Sequence, residues 1–156
     1  MTQITLLLDK LREKGLKIAT AESCTGGMIA AAITDIAGSS EVFERGYVTY
    51  SNQAKTEELG VAKEMIEKYG AVSAITAEHM ARGALKNSKA DVAVAVTGIA
   101  GPGGGTPEKP VGLVFIAVAY KGACKVTKNQ LSGSRADIRR EAVTRAVNQT
   151  LLVLNF

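Results

Sequence analysis

The sequence predicts an α/β protein: a three-layer α/β/α sandwich around a mixed, mostly parallel sheet of about five strands, ending in an antiparallel hairpin and a long helix. Three observations carry that reading. Helical and strand patterns alternate through the first two thirds of the chain. Asp91 to Thr97 sets small and branched residues on both faces, as a strand covered from two sides does. Val111 to Tyr120 and Lys125 to Leu131 read as two strands joined through Gly122, followed by a periodic run from Ser134 to about Leu154. At 156 residues the chain has the length of one domain, expected to occupy 1–156.

The earlier elements follow from spacing and punctuation. Ile4, Leu7, Leu8 and Leu11 recur at helical intervals and stop at Gly15, a residue suited to a C-terminal cap. Leu16 to Ala21 reads as a strand, and the alanine- and isoleucine-rich stretch from Met28 to Ile36 as a buried helix closed by Gly38. Tyr47 to Tyr50 has strand composition. Ser51 or Asn52 can cap a helix through Lys55, Lys63 to Tyr69 forms another, and Ser73 can cap a third from Ile75 to Leu85. In such sheets ligands gather at the carboxyl ends of parallel strands. Three loops are therefore expected to meet there, 22–27, 51–55 and 98–106.

Composition removes several classes of chemistry. The chain has one histidine and two cysteines, and Cys24 and Cys124 are far apart, so a zinc cluster, any other bound metal or a disulfide framework is not expected. No apolar run is long enough for a membrane span or a signal peptide, and the protein is expected to be cytoplasmic, without a membrane partner. Its net charge of +4 is concentrated between Lys121 and Arg145, where seven bases face two acids. That patch suits either an anionic ligand or a solvated surface. Seven phenylalanines and tyrosines in all, none interleaved with these bases, make nucleic acid an unlikely partner and a small phosphorylated molecule the better one.

The glycine-rich stretch from Gly98 to Pro107 lacks the lysine of a phosphate-binding P-loop and leads into a strand where a dinucleotide fold would open a helix. It reads as a long turn or lid, or as a wall whose N–H groups line a pocket. Glu22-Ser23-Cys24-Thr25-Gly26-Gly27 is more telling. A polar turn between a strand and a helix presents N–H groups at the positive end of the helix dipole, where a developing oxyanion is stabilised. Ser23 is then a candidate nucleophile and Cys24 its rival. The only imidazole, His79, lies mid-helix among small apolar residues and makes a poor catalytic base. Lysine serves as a base when its ammonium is destabilised. Lys55 falls in the first turn of a helix, where dipole and desolvation both disfavour the cation. Glu57 and Glu58 oppose that shift, so the sequence leaves its sign open.

Taken together, Ala21-Glu22-Ser23-Cys24-Thr25-Gly26-Gly27, Ala37-Gly38-Ser39-Ser40, Gly46-Tyr47-Val48-Thr49-Tyr50-Ser51-Asn52 with Lys55, Gly70-Ala71-Val72-Ser73, Thr97-Gly98-Ile99-Ala100-Gly101-Pro102 and Lys109-Pro110-Val111-Gly112 resemble the C-terminal domain family of the competence and damage inducible protein CinA. The blocks keep their order from about Leu6 to Leu152. Stand-alone members of that family are nicotinamide-nucleotide amidohydrolases, so the resemblance implies deamidation of nicotinamide mononucleotide by a Ser/Lys mechanism. It implies Ser23 as nucleophile, Lys55 as general base and Tyr50 as a neighbour orienting the pair. By the same resemblance Thr25, Gly26 and Gly27 supply oxyanion donors, and Asn52, Thr97, Gly98 and Arg135 contact a small-molecule nucleotide substrate. No cofactor or metal is implied, and a homo-oligomer is, a dimer in the first place. Longer relatives place this domain behind one related to molybdopterin-binding proteins; a second activity of that kind is not expected here. The competing expectation is a module that binds or senses a nucleotide without turning it over.

Overall fold

The computed structural model describes residues 2–155. The chain runs α1 (Gln3–Lys14), β1 (Ile18–Glu22), α2 (Met28–Thr34), a 3₁₀ turn (Ser39–Glu41), β2 (Phe43–Val48), α3 (Asn52–Leu59), α4 (Lys63–Tyr69), α5 (Ala74–Lys86), β3 (Val92–Gly98), β4 (Leu113–Tyr120), β5 (Ala123–Gln130) and α6 (Arg135–Leu154). The strands form one sheet in the order β2-β1-β3-β4-β5. β1 pairs in parallel with β2 and β3, while β4 pairs antiparallel with β3 and β5. Four strands thus share one direction and β4 alone opposes it, the mixed and mostly parallel sheet that the alternating pattern predicts.

The two faces of the sheet are chemically different, and β3 shows why. Val92, Val94 and Val96 point into a core shared with α1, α2 and α6, which holds Leu7, Leu8, Leu11, Ile29, Ile33, Ile138 and Val147. Ala93 and Ala95, with Ala19, Ala21, Ala117 and Ala119 on neighbouring strands, face α5 and its Ala77, Met80, Ala81 and Ala84. Alanines on both surfaces let α5 approach closely. At Gly83 a Cβ would collide with the Leu59 carbonyl at the end of α3, so this small residue also lets α3 dock on α5.

Capping residues act where their chemistry places them. Ser51 accepts from the Ala54 N–H, Ser73 from Thr76 and Ser134 from Asp137, the last closing a reciprocal capping box. Gly15 ends α1 in the left-handed conformation. Several boundaries shift by a residue or two, among them β1 and β5, and three have a clear physical reason. β2 begins at Phe43 and ends at Val48, because an edge strand tolerates the polar Glu44 and Arg45 that mask it in the sequence. α2 stops at Thr34, and Gly38 instead opens the 3₁₀ turn. Val111 and Gly112 precede β4, since Gly112 (φ 92°) lies against the Leu131 carbonyl.

The carboxyl ends of β1, β2 and β3 lie side by side, and the loops after them bring together 22–27, 49–55 and 98–101. No helix of the described residues is long and apolar enough to cross a membrane.

The contact at Gly83 yields a prediction against local propensity. Alanine is the better helix former by about 1 kcal/mol, yet Gly83→Ala is expected to lower unfolding free energy by about 1–3 kcal/mol in urea titration, because the added Cβ has no room. A more stable variant would contradict the close docking of α3 on α5.

Candidate active site

A cleft of about 220 Å³ opens at the carboxyl edge of the parallel strands, lined by Ser23, Cys24, Tyr50, Asn52, Lys55, Ala71, Val72, Thr97, Gly98, Ala100 and Arg135. A larger groove of about 850 Å³ runs between β5 and α6, but neither Ser23 nor Lys55 lines it. The candidate pair of Ser23 and Lys55 lies in the smaller cleft.

Ser23 follows the last residue of β1, its N–H donating to the Val96 carbonyl of β3 at 3.0 Å. Ser23 is thereby locked to the centre of the sheet. Lys55 lies in the first turn of α3, and its side chain runs inward until only 1% of the residue is exposed. Its Nζ lies 3.0 Å from Ser23 Oγ, 3.0 Å from the Thr49 carbonyl and 3.3 Å from the Tyr50 carbonyl. No carboxylate pairs with it among the described residues, and Glu57 and Glu58 point to solvent. Burial pushes the Lys55 amine below its ordinary 10.5. The sign left open by the sequence is downward.

Hydrogen-bond counting fits either state: an ammonium donates to all three oxygens, and a neutral amine is satisfied as well. A neutral amine has two N–H groups and one lone pair. Two carbonyls take the N–H groups, and the lone pair is left to accept the Ser23 hydroxyl proton. Cys24 offers little competition: burial pushes its thiol up to about 11. It stays protonated at neutral pH, so the thiolate that would raise the lysine is absent.

Glu22 is buried at the end of β1, and its carboxylate accepts from the Thr25 hydroxyl at 2.6 Å, the Ile29 N–H at 2.9 Å and the Ala30 N–H at 3.1 Å. The positive end of α2 is therefore occupied by an internal carboxylate. This bears on which donors of the turn stay free. Thr25 is buried with its hydroxyl committed to Glu22, and the Gly26 N–H donates to the Ser23 carbonyl at 3.0 Å. Gly26 and Gly27 shape the turn through φ values of 59° and 106°, a region that favours glycine. None of Thr25, Gly26 and Gly27 lines the cleft. Cys24 does, and its backbone N–H, like those of Thr25 and Gly27, has no hydrogen-bond partner among the described residues.

The other expected residues converge on the cleft in different capacities. Tyr50 holds Lys55 through its main-chain carbonyl, while its hydroxyl, on a 62% exposed residue, accepts from Arg135 at 3.3 Å. Arg135 also donates to the Gly101 carbonyl at 2.7 Å, tying the glycine-rich loop to the rim. Thr97 spends its hydroxyl on the Ala71 carbonyl at 2.8 Å, fixing the opposite wall. Gly98 is small because β4 leaves no space for a Cβ, and Asn52 sits at the mouth. His79 is exposed on α5 against its own helix, away from the cleft. Sequence reasoning missed Arg139, Ala71 and Val72. Arg139 lies one helical turn beyond Arg135 on the same face of α6, a spacing that could have singled it out from the basic cluster.

Fold and site define a three-layer α/β domain with a buried serine and lysine pair at the carboxyl edge of its parallel strands. The profile of the CinA C-terminal domain family matches residues 2–154, and the chain belongs to that family. It is 54% identical over 150 residues to a CinA-like protein of Mycolicibacterium vanbaalenii, covering 94% of this chain and 36% of the relative. With a CinA-like protein of Kosmotoga olearia it shares 50% over 143 residues, covering 92% of this chain and 35% of the relative. The chain thus spans about a third of the length of these relatives. Among solved structures it superposes on the competence/damage inducible protein CihA of Agrobacterium tumefaciens with a TM-score of 0.92, 48% identity and coverage of 100% and 98% of the two chains. A CinA superfamily protein of Escherichia coli gives a TM-score of 0.94 at 35% identity, covering 97% and 88%.

The depressed Lys55 value has a thermodynamic signature. Between that folded value and the ordinary 10.5, the unfolded chain holds the additional proton, so stability rises with pH across this window and is flat on either side. Measured as the difference in unfolding free energy between the wild type and Lys55→Met, which lacks the titrating group, the wild type is expected to gain as pH rises toward 10.5. A constant difference would mean that Lys55 titrates normally.

Proposed function

We propose that this domain is an amidohydrolase that converts nicotinamide mononucleotide and water to nicotinate mononucleotide and ammonia through a seryl acyl-enzyme. The observation that carries the proposal is the 3.0 Å contact between Ser23 Oγ and a buried, unpaired Lys55 Nζ. The choice of substrate rests on the family resemblance. The cleft and its rim are compatible with it: the reacting carboxamide enters between Ser23 and the wall at Ala71 and Val72, while sugar and phosphate extend toward Asn52, Arg135 and the glycine-rich loop.

In the first half-reaction the Ser23 Oγ attacks the carboxamide carbon and its proton moves to Lys55 Nζ. The resulting ammonium has three N–H groups for three acceptors, the serine oxygen and the Thr49 and Tyr50 carbonyls. The Cys24 N–H holds the oxygen of the tetrahedral intermediate. Collapse breaks the C–N bond, Lys55 returns the proton to the leaving nitrogen, and ammonia departs. Water then attacks the acyl-enzyme with Lys55 again taking a proton, and collapse releases nicotinate mononucleotide and restores Ser23. The low proton affinity of Lys55 serves both halves, because an amine left permanently protonated could not act as a base.

The test is ammonia release from purified protein with nicotinamide mononucleotide, with and without EDTA. Wild-type turnover unaffected by EDTA is expected, with kcat lower by about three orders of magnitude or more in Ser23→Ala and in Lys55→Ala. Near-normal turnover by Ser23→Ala would sink the mechanism. Substrate binding without turnover by the wild type would favour a nucleotide sensor instead.

A further inference from the structure

We propose that Arg139 is a positioning residue for the oxyanion donor, gripping the turn that carries Ser23 from the side away from substrate; the proposal rests on the serine and lysine mechanism above. Three consecutive peptide units follow the nucleophile, and each has its carbonyl anchored. The Ser23 carbonyl accepts from the Gly26 N–H at 3.0 Å. The Cys24 carbonyl accepts from Arg139 Nε at 3.1 Å, and the Thr25 carbonyl from Arg139 Nη2 at 3.3 Å and from the Met28 N–H at 3.1 Å.

A trans peptide unit is planar, so its carbonyl and N–H point in opposite directions. Anchoring a carbonyl therefore aims the N–H of the next residue. Gly26 fixes the unit that ends in the Cys24 N–H, and Arg139 fixes the two units that return the chain to Gly26. If the grip of Arg139 is lost, the Gly26 anchor can drift and the Cys24 N–H drifts with it. On the far side of the turn, Glu22 holds the Thr25 hydroxyl and the first amides of α2. The turn is thus held from the sheet by a carboxylate and from α6 by a guanidinium.

Arg139 is half-buried and does not line the cleft. Its planar fork satisfies two carbonyls of adjacent residues at once, which a lysine ammonium on a flexible stem cannot reproduce with the same geometry. Gly26 allows this approach, because a Cβ there would stand 3.3 Å from Arg139 Nη2. The guanidinium also polarises the carbonyls it binds, and hydrogen-bonded chains of peptide units strengthen one another's donors. No carboxylate pairs with Arg139 among the described residues, in contrast to Arg140 and Arg145 on the same helix, which pair with Asp137 and Glu141.

The experiment compares wild type with Arg139→Lys and Arg139→Gln by kcat and KM for ammonia release, by the pH midpoint of kcat, and by the rate at which a fluorophosphonate labels Ser23. In labelling, the Oγ–P bond forms as the P–F bond breaks, fluoride leaves, and Lys55 takes the hydroxyl proton, so this readout needs no assumption about the natural substrate. Arg139→Gln is expected to lower kcat and labelling rate together by about tenfold to a hundredfold, as a small misplacement of catalytic geometry does. KM is expected to stay within about twofold, with the pH midpoint unchanged, because the residue touches neither substrate nor Lys55. Folded variants with wild-type kcat would overturn the proposal. A loss accompanied by raised KM or a moved pH midpoint would also overturn it, as would failure of both variants to fold, which would make Arg139 a structural tie. A wild type that labels at Ser23 but leaves nicotinamide mononucleotide intact would sink the substrate reading alone and leave Arg139 tested by the labelling rates. A wild type that does not label would sink the mechanism and the proposal with it.

Discussion

Lys55 carries an amine into the interior with no carboxylate among the described residues to meet it, and the remainder of the site is arranged around that imbalance. A buried ammonium without a counter-charge is costly, and the usual escape is to lose the proton. Here the escape route is useful, because the neutral amine retains a lone pair 3.0 Å from a hydroxyl. The Thr49 and Tyr50 carbonyls keep the cation tolerable for the time it exists, without the strong stabilisation a carboxylate would give. One Asp or Glu in contact with Nζ would stabilise the cation and suppress the base.

The fold supplies this geometry through strand direction. Since β1, β2 and β3 run the same way, the residues that follow them emerge at one edge: Ser23 after β1, the Thr49 and Tyr50 carbonyls after β2, and the wall of Thr97 and Gly98 at the end of β3. The alanine-rich face lets α5 pack closely against the sheet and provides the surface on which α3, with Lys55 in its first turn, is seated. Packing on one side of the sheet thus determines how deep the lysine reaches. The valine-rich face does the corresponding work for α6, whose Arg135 and Arg139 reach the rim of the cleft and the back of the turn that follows β1.

Much of this was legible in the sequence wherever a residue acts through local chemistry. Ser51, Ser73 and Ser134 cap helices because a short hydroxyl side chain after an extended residue can do little else as well. Gly26 and Gly27 announced a tight turn before a helix, and the pairing of Ser23 with Lys55 followed from the scarcity of imidazole together with the family's blocks of residues. Three things were hidden because they depend on tertiary contacts. Edge position let β2 begin with Glu44 and Arg45, so its first half did not look like a strand. Whether an N–H near the turn is free depends on which carbonyl or carboxylate lies behind it: the Ser23 carbonyl takes the Gly26 N–H and Glu22 takes those of Ile29 and Ala30. Tyr50 is expected as a neighbour orienting the pair, but which of its atoms touches the lysine, the main-chain carbonyl, depends on how the chain turns after β2.

The most direct test of the account is the protonation state of a single nitrogen. Titration of lysine Nζ by heteronuclear NMR, with Lys55 assigned by its loss in Lys55→Met, is expected to show this amine losing its proton below the ordinary 10.5. A Lys55 that titrates at 10.5 or above would leave Ser23 without a base and contradict the mechanism built on it.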